Sequence, residues 1–260
     1  MSLRITPLQL DGFEQLPKHA RRCVFWEVDP STLRGDDHLA DPEFEKEAWL
    51  SMVMLEWGSC GQLAIQCAPT PGEVTDDDAA MRPGPTDAPC LGYAFYAPPG
   101  AVPRAQLFPT APVSADAVLL TTVGVESGHG GHSGQGTEGL PHRLLAAVVE
   151  DLVRRGVRAL EAFGRTAAVA ELANPSVVPP DLRPVVETLG DCSVEQCVVD
   201  AEFLREVGFK EVAPHRYFPR LRLELEQGLG WKADVEAALD RLLQTAQLQQ
   251  PVGAGAGPCS

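Results

Sequence analysis

The sequence is short of positive charge: 21 Lys and Arg stand against 36 Asp and Glu, a formal net charge of -15. Nucleic acid, whose phosphates call for clustered basic side chains, is excluded as a partner on that balance. An acidic surface suits a cationic partner such as an amine, although solubility alone also favours one. No apolar run approaches the ~20 residues that cross a bilayer. The opening MSLRITPLQLDGFEQL has neither a basic n-region nor an unbroken apolar core. A cytoplasmic protein that binds no membrane is therefore expected. The seven cysteines (Cys23, Cys60, Cys67, Cys90, Cys192, Cys197, Cys259) include no CxxC pair. That argues against both a disulfide framework and a zinc site, and the thiols read as small buried apolar groups.

What is present is an ordinary globular composition, 44% hydrophobic and 22% charged, with legible punctuation. Cys23-Val24-Phe25-Trp26 reads as a short strand. Asp41 caps a helix that starts at Pro42, has Phe44, Ala48, Val53 and Trp57 at helical spacing, and ends at Gly58. Trp49 and Trp57 are expected in the core. Gly61 to Cys67 is a strand. Residues 68–89, rich in Pro, Gly and Asp, read as a mobile acidic insertion before the sheet resumes at Leu91–Ala97. Asp116 to Glu126 is the best strand pattern. The next helix puts Leu140, Leu144, Leu145, Val148, Val149 and Leu152 on one face and is closed by Gly156. Val157–Phe163 follows as a strand, expected to lie parallel to 118–126. Asp200 caps a short helix, AEFLREV, and 209–225 reads as one long strand. Trp231–Leu248 is a final amphipathic helix. The expected organisation is one domain over 1–228, a helix over 229–249 and a disordered tail over 250–260.

Between the strand at 116–126 and the helix from Leu140 lies a loop with Gly128, Gly130, Gly131, Gly134, Gly136 and Gly139. A glycine-rich turn feeding a helix start aims several main-chain N–H groups one way, with the positive end of the helix dipole behind them. That arrangement suits a phosphate or pyrophosphate, so a phosphorylated cofactor is expected. GQGTEG fits the dinucleotide string GxGxxG literally. It stands about ten residues past the strand, however, and no acid ends the next strand as a Rossmann site requires. Beside His129, His132 and His142 only Glu126 and Glu138 stand near as further ligands, so phosphate contacts or solvated loop positions explain the histidines better than a metal.

The stretches LLTTVGVE, GQGTEGLPHRLLAAVVEDLVRRGV, ALEAFG and DAEFLREVGFKEV follow one another in an order that resembles the GNAT superfamily of acyl-CoA-dependent N-acyltransferases. The resemblance spans roughly residues 40–225, and the run RGVRALEAFG is similar to actinobacterial members. It implies an α/β fold: a mixed, mostly antiparallel, splayed sheet flanked by helices, here with an extra C-terminal helix. It also implies acetyl-CoA or another acyl-CoA as co-substrate, lying between the two strands that part, and direct acyl transfer to an amine of a small molecule or a protein. A homodimer is one open assembly. The resemblance places the pyrophosphate on Gly134, Gln135, Gly136, Thr137, Glu138, Gly139, Leu140, His142 and Arg143. The pantetheine arm would pair with Val123 and Val125. The sequence departs from the family signature Gln/Arg-x-x-Gly-x-Gly/Ala. Gly136 stands where Gln or Arg is expected, Gln135 comes one place early, and Pro141 replaces a small residue and withdraws one N–H.

By the same resemblance, Glu126 at the strand end is the candidate general base, with a solvated loop acid as its alternative. The family's tyrosine acid aligns with Leu204, so Tyr217 and Cys197 are the substitutes considered. A GNAT-like module that binds CoA or a protein partner without catalysis is the competing functional reading.

Overall fold

The chain lays down β1 (Ser2–Pro7), α1 (Lys18–Arg22), α2 (Pro42–Glu56), β2 (Gly61–Cys67) and β3 (Cys90–Ala97) in its first part. Then come β4 (Ala117–Val125), α3 (Leu140–Arg154), β5 (Ala159–Arg165), α4 (Val194–Cys197), β6 (Val199–Asp200), α5 (Ala201–Glu206), β7 (Lys210–Ala213) and β8 (Arg220–Glu224). The structure is a computed structural model that describes residues 2–29, 40–67, 89–126, 139–173, 178, 180, 183 and 194–225. The acidic insertion at 68–88, the glycine-rich loop at 127–138 and the expected helix and tail after 226 lie outside the described residues. Met1–Glu226 forms one compact unit. No described helix is long and apolar enough to cross a membrane.

The described strands form one sheet in the order β1-β2-β3-β4-β5-β8-β7, with β6 added on β5. Strands β1 to β4 pair antiparallel, as do β5, β8 and β7. The two halves meet only where β4 and β5 run parallel, through the pairs Ala117–Ala159, Val118–Leu160 and Leu119–Glu161. Beyond Leu119, β4 stays with β3 as far as Val125, while β5 stays with β8 as far as Phe163. The sheet therefore splays, and this mixed, splayed architecture flanked by helices is the expected one. Just past the joint, Phe95 faces Thr122 while Tyr96 faces Leu120, so Thr121 is an extra residue in β4. Such a bulge bends its strand and breaks the ladder locally. The Thr121 hydroxyl donates to the Phe95 carbonyl at 3.1 Å.

One sheet face carries α3. Its apolar stripe, Leu140, Leu144, Leu145, Val148, Val149 and Leu152, is buried as its spacing predicts. A side chain at Gly92 would meet Leu144 and Leu140 at 3.1 and 3.2 Å, so glycine lets the helix lie close on β3. The Tyr96 hydroxyl pins the layers by donating to Asp151 at 2.9 Å. The other face carries α1 and α2. Asp41 accepts from the Phe44 N–H at 3.1 Å and caps α2 as expected. The buried face of α2 is Lys46, Trp49, Leu50 and Val53, whereas Phe44 is 63% exposed and Ala48 is exposed. Apolar spacing missed this rotation because it cannot foresee a buried lysine. Lys46 enters the core to pair with Glu27 and lies 4.4 Å from the Phe95 ring centroid. Trp57 is half-buried beneath the Arg155 guanidinium, 3.5 Å from its ring centroid.

Two further expectations are corrected. Residues 23–26 are not a strand, since the chain leaves α1 into a turn and buries the neighbours Phe25 and Trp26 together. A strand would send consecutive side chains to opposite faces. Trp26 instead stacks on Phe108 at 5.0 Å and Phe163 at 6.2 Å, filling the core beneath the joint of β4 and β5. The single strand expected over 209–225 is a pair, β7 and β8, interrupted at Pro214–Pro219, where proline removes ladder donors.

Candidate functional site

The parting of β4 from β5 leaves a cleft with β5 on one side and three further walls. The first is the freed edge of β4. The Glu126 N–H bonds the Leu91 carbonyl at 2.9 Å, on the β3 side. By alternation Val123 and Val125 turn their main-chain groups to the opposite edge, the one β5 has left. Residues Thr122 to Glu126 are all partly exposed. The facing wall is modified: β6 pairs with Gly164 and Arg165 of β5, on the side not occupied by β8. A segment without a counterpart in the sequence expectation thus lines the cleft.

The start of α3 supplies the second wall. Gly139 has φ +72°, a left-handed conformation that glycine adopts freely, and nothing lies within 4 Å of the position a side chain would take. Among the described residues no side chain caps the helix, and its first turn holds no acid. Leu140 and His142 therefore present N–H groups at the positive end of a 15-residue helix, while Pro141 contributes none. His142 packs edge-on against Phe203 of α5, ring centroids 5.2 Å apart, and its Nε2 is 3.9 Å from Glu206. Its Nδ1 is buried with no partner among the described residues. Uncapped amides and an unmet ring nitrogen fit an anionic group such as a pyrophosphate, with Glu206 the acid nearest His142 among the described ion pairs. Arg143 is exposed beside them, and its N–H returns to the Gly139 carbonyl at 3.1 Å. Gly134, Gln135, Gly136, Thr137 and Glu138 lie outside the described residues.

The third wall is where β4 ends, facing α1. Glu126 is 29% exposed, with Oε1 3.5 Å from Nδ1 of His19, itself 44% exposed. His19 Nε2 lies 2.8 Å from the hydroxyl of Tyr93 on β3. Burial pushes the Tyr93 phenol well above its ordinary pKa, so it stays protonated. Its ring crosses Gly124 so closely that a side chain there would meet Cζ at 2.5 Å. Carboxylate, imidazole and phenol thus come from the end of β4, α1 and β3 into one line, with His19 hydrogen-bonded to Tyr93 and 3.5 Å from Glu126. Cys90 stands beside it, its thiol donating to the Gly92 carbonyl and pushed up by burial to about 11.

The other two candidate acids are not brought to this line. Cys197 is held in a disulfide, which leaves no thiol proton to give, whereas Cys60 and Cys90 are free and buried as expected. The Cys23 sulfur lies 3.5 Å from it, and the Trp26 indole donates to its carbonyl at 2.7 Å. Tyr217 is buried on the β8 side of β5, where its carbonyl accepts from Thr166 and its hydroxyl donates to Glu171 at 3.3 Å. Among the described residues no cluster of His, Cys, Asp or Glu could hold a metal. His19, Tyr93 and the Thr121 bulge escaped sequence reasoning. One signal was available: a glycine inside a strand marks a close approach, and Gly124 interrupts an otherwise apolar run.

No family model matches the chain, and no curated protein does. Solved structures similar to it include a PaiA N-acetyltransferase from Thermoplasma acidophilum in complex with coenzyme A. That match has 10% identity and a TM-score of 0.40, covering 86% of this chain and 99% of that one. An N-acetyltransferase from Staphylococcus aureus Mu50 is similar at 11% identity and TM-score 0.42, with 86% and 99% covered. The ribosomal-protein-S18-alanine N-acetyltransferase from Escherichia coli is similar at 12% and 0.34, with 86% and 94% covered. Likeness of this degree transfers no activity.

Proposed function

We propose that this chain is an acyl-CoA-dependent N-acyltransferase of the GNAT type, moving an acetyl or related acyl group directly to an amine. The observation that carries this reading is the cleft itself. β4 and β5 separate after three residue pairs, and the uncapped start of α3 opens beside the freed edge. Leu140 and His142 would hold the pyrophosphate with the loop from Gly134 to Gly139, and Arg143 would add charge. Val123 and Val125 would pair with the pantetheine arm. The thioester supplies an acyl carbon open to attack and a thiolate that leaves without strong acid assistance. Glu126 would accept a proton from the incoming ammonium. The acidic chain favours a cationic acceptor, a small amine or a protein amine.

Calorimetry with acetyl-CoA, NAD and ATP tests the reading. Acetyl-CoA is expected to bind, and Gly139→Val, which forces a β-branched residue into a left-handed position, should abolish that binding while the fold persists. Undiminished affinity in that variant would refute the anion site. A second reading, a CoA-binding module without turnover, is favoured by one observation: neither Cys197 nor Tyr217 has a proton-donating group turned to the cleft. Binding without thioester loss across an amine panel would select it.

A further inference from the structure

The line formed by Glu126, His19 and Tyr93 has a role that a lone strand-end base leaves unexplained. A carboxylate that takes a proton from each acceptor must return it to water before the next turnover. Glu126 sits with its carboxylate toward an imidazole 3.5 Å away rather than toward a fixed cation. That imidazole is 44% exposed, and histidine is the side chain whose charge changes near neutral pH. Its far nitrogen is fixed at 2.8 Å by a phenol that burial keeps protonated. The phenol is clamped in turn between Gly124 and Phe95, whose ring centroid is 5.1 Å away.

We propose that His19 is the second member of a proton relay, positioned by Tyr93 and acting through Glu126; this rests on the transferase reading above. In the resting state Nε2–H donates to the Tyr93 oxygen, which leaves the Nδ1 lone pair turned to Glu126. The acceptor ammonium gives one proton to the Glu126 carboxylate and becomes the neutral nucleophile. The carboxyl passes that proton to Nδ1, and the imidazolium releases it to water from its exposed edge. The second proton, lost from nitrogen after attack, goes to the departing thiolate. The balance is an ammonium and a thioester in, an amide, a thiol and one solvent proton out. The charged and titratable groups around His19 are compatible with this cycle. Tyr93 of β3 and Glu126 at the end of β4 meet its ring, and around Tyr93 in turn stand Cys90 of β3 with Cys23 and Glu27 from the turn after α1. On its own helix stand Lys18, Arg21 and Arg22, and Arg21 is occupied by Glu14 and by Glu43 of α2.

Two measurements on the full chain test the relay. Long-range proton–nitrogen spectra of the imidazoles, free of any substrate, should show His19 as the Nε2–H tautomer above its titration. An Nδ1–H tautomer overturns the proposal. Kinetics with acetyl-CoA and a panel of spermidine, a lysine peptide and a peptide with a free N-terminus supply the second readout. His19→Ala should lower kcat by about 10- to 100-fold, short of the full general-base effect. KM for acetyl-CoA should hold, the limb of the pH profile should move, and added imidazole should restore part of the rate. Tyr93→Phe should cost about 2- to 12-fold, the worth of one hydrogen bond. His19→Gln, checked by circular dichroism, serves if the alanine variant does not fold. A folded variant with wild-type rate and profile, or one that imidazole does not rescue, refutes the relay alone. Absence of turnover in the wild type defeats the transferase reading and the relay with it.

Discussion

Replacing Gly124 with alanine tests whether Tyr93 is held as tightly as its surroundings imply. The new methyl would stand 2.5 Å from Cζ and 2.7 Å from Cε1 and Oη of Tyr93, about 1 Å inside ordinary van der Waals contact. The backbone itself accepts alanine, since Gly124 is not among the positive-φ glycines. The ring must therefore retreat, and it has little room: Tyr93 is 3% exposed, Phe95 lies behind it and His19 holds its hydroxyl. Overpacking of a filled core costs about 1–3 kcal/mol. Losing the His19 contact adds about 0.5–1.5 kcal/mol, and the smaller unfolded-state entropy of alanine returns about 0.5–1 kcal/mol. The net expectation is a loss of roughly 1–3 kcal/mol. In urea it should appear as a lower midpoint with unchanged slope. In a Tyr93→Ala background the same change should be neutral or stabilising, because the clash partner is gone. A penalty that persists unchanged in that background, or a single variant within about 0.5 kcal/mol of wild type, would refute the clamp.

Glu27→Gln should cost about 3–5 kcal/mol by leaving the Lys46 ammonium buried without its carboxylate. Adding Lys46→Met should recover most of that, since the side-chain amide oxygen introduced by Glu27→Gln can still accept from the Trp26 N–H, as the Glu27 carboxylate does at 3.1 Å in the wild type; urea unfolding of the three proteins decides it. Burial pushes the Glu161 carboxyl up, but hydrogen bonds from Ser114 and Arg220 outweigh it and hold its pKa below the ordinary range. Its contribution to stability is therefore complete above about pH 4.3 and lost as pH falls through the lower folded value. Glu161→Gln should flatten the acid limb of stability measured by urea unfolding. Burial also pushes the Cys60 thiol up to about 12. Iodoacetamide at pH 8 should label Cys60 only in unfolded protein, read by mass spectrometry of its peptide.

Elements whose stability is local were legible in the sequence. Asp41-Pro42, Asp200 and Gly156 each mark a helix end through backbone chemistry within a few residues, and each stands where expected. The α3 stripe was legible because its buried face is wholly apolar. The reading failed where burial depends on a distant partner. Lys46 is inside because Glu27 is there, and Glu161 because Arg220 and Arg222 come from β8. The residue order Cys-Val-Phe-Trp matches a strand, yet Phe25 and Trp26 answer to Phe108 and Phe163. The site divides in the same way. Gly139 and Glu126 border the glycine-rich loop, so a local pattern reached them. His19 and Tyr93 stand 74 positions apart in sequence and meet only because β3 lies beside the freed strand and α1 covers that face. Glu126, His19 and Tyr93 all stand on the β4 side of the break, and they meet because the sheet order sets β3 beside β4 and the chain returns α1 to the same face. Under the relay proposed above, the strand-end carboxylate read from sequence is half of the acid–base machinery, and its partner stands on the helix that the fold lays across its face.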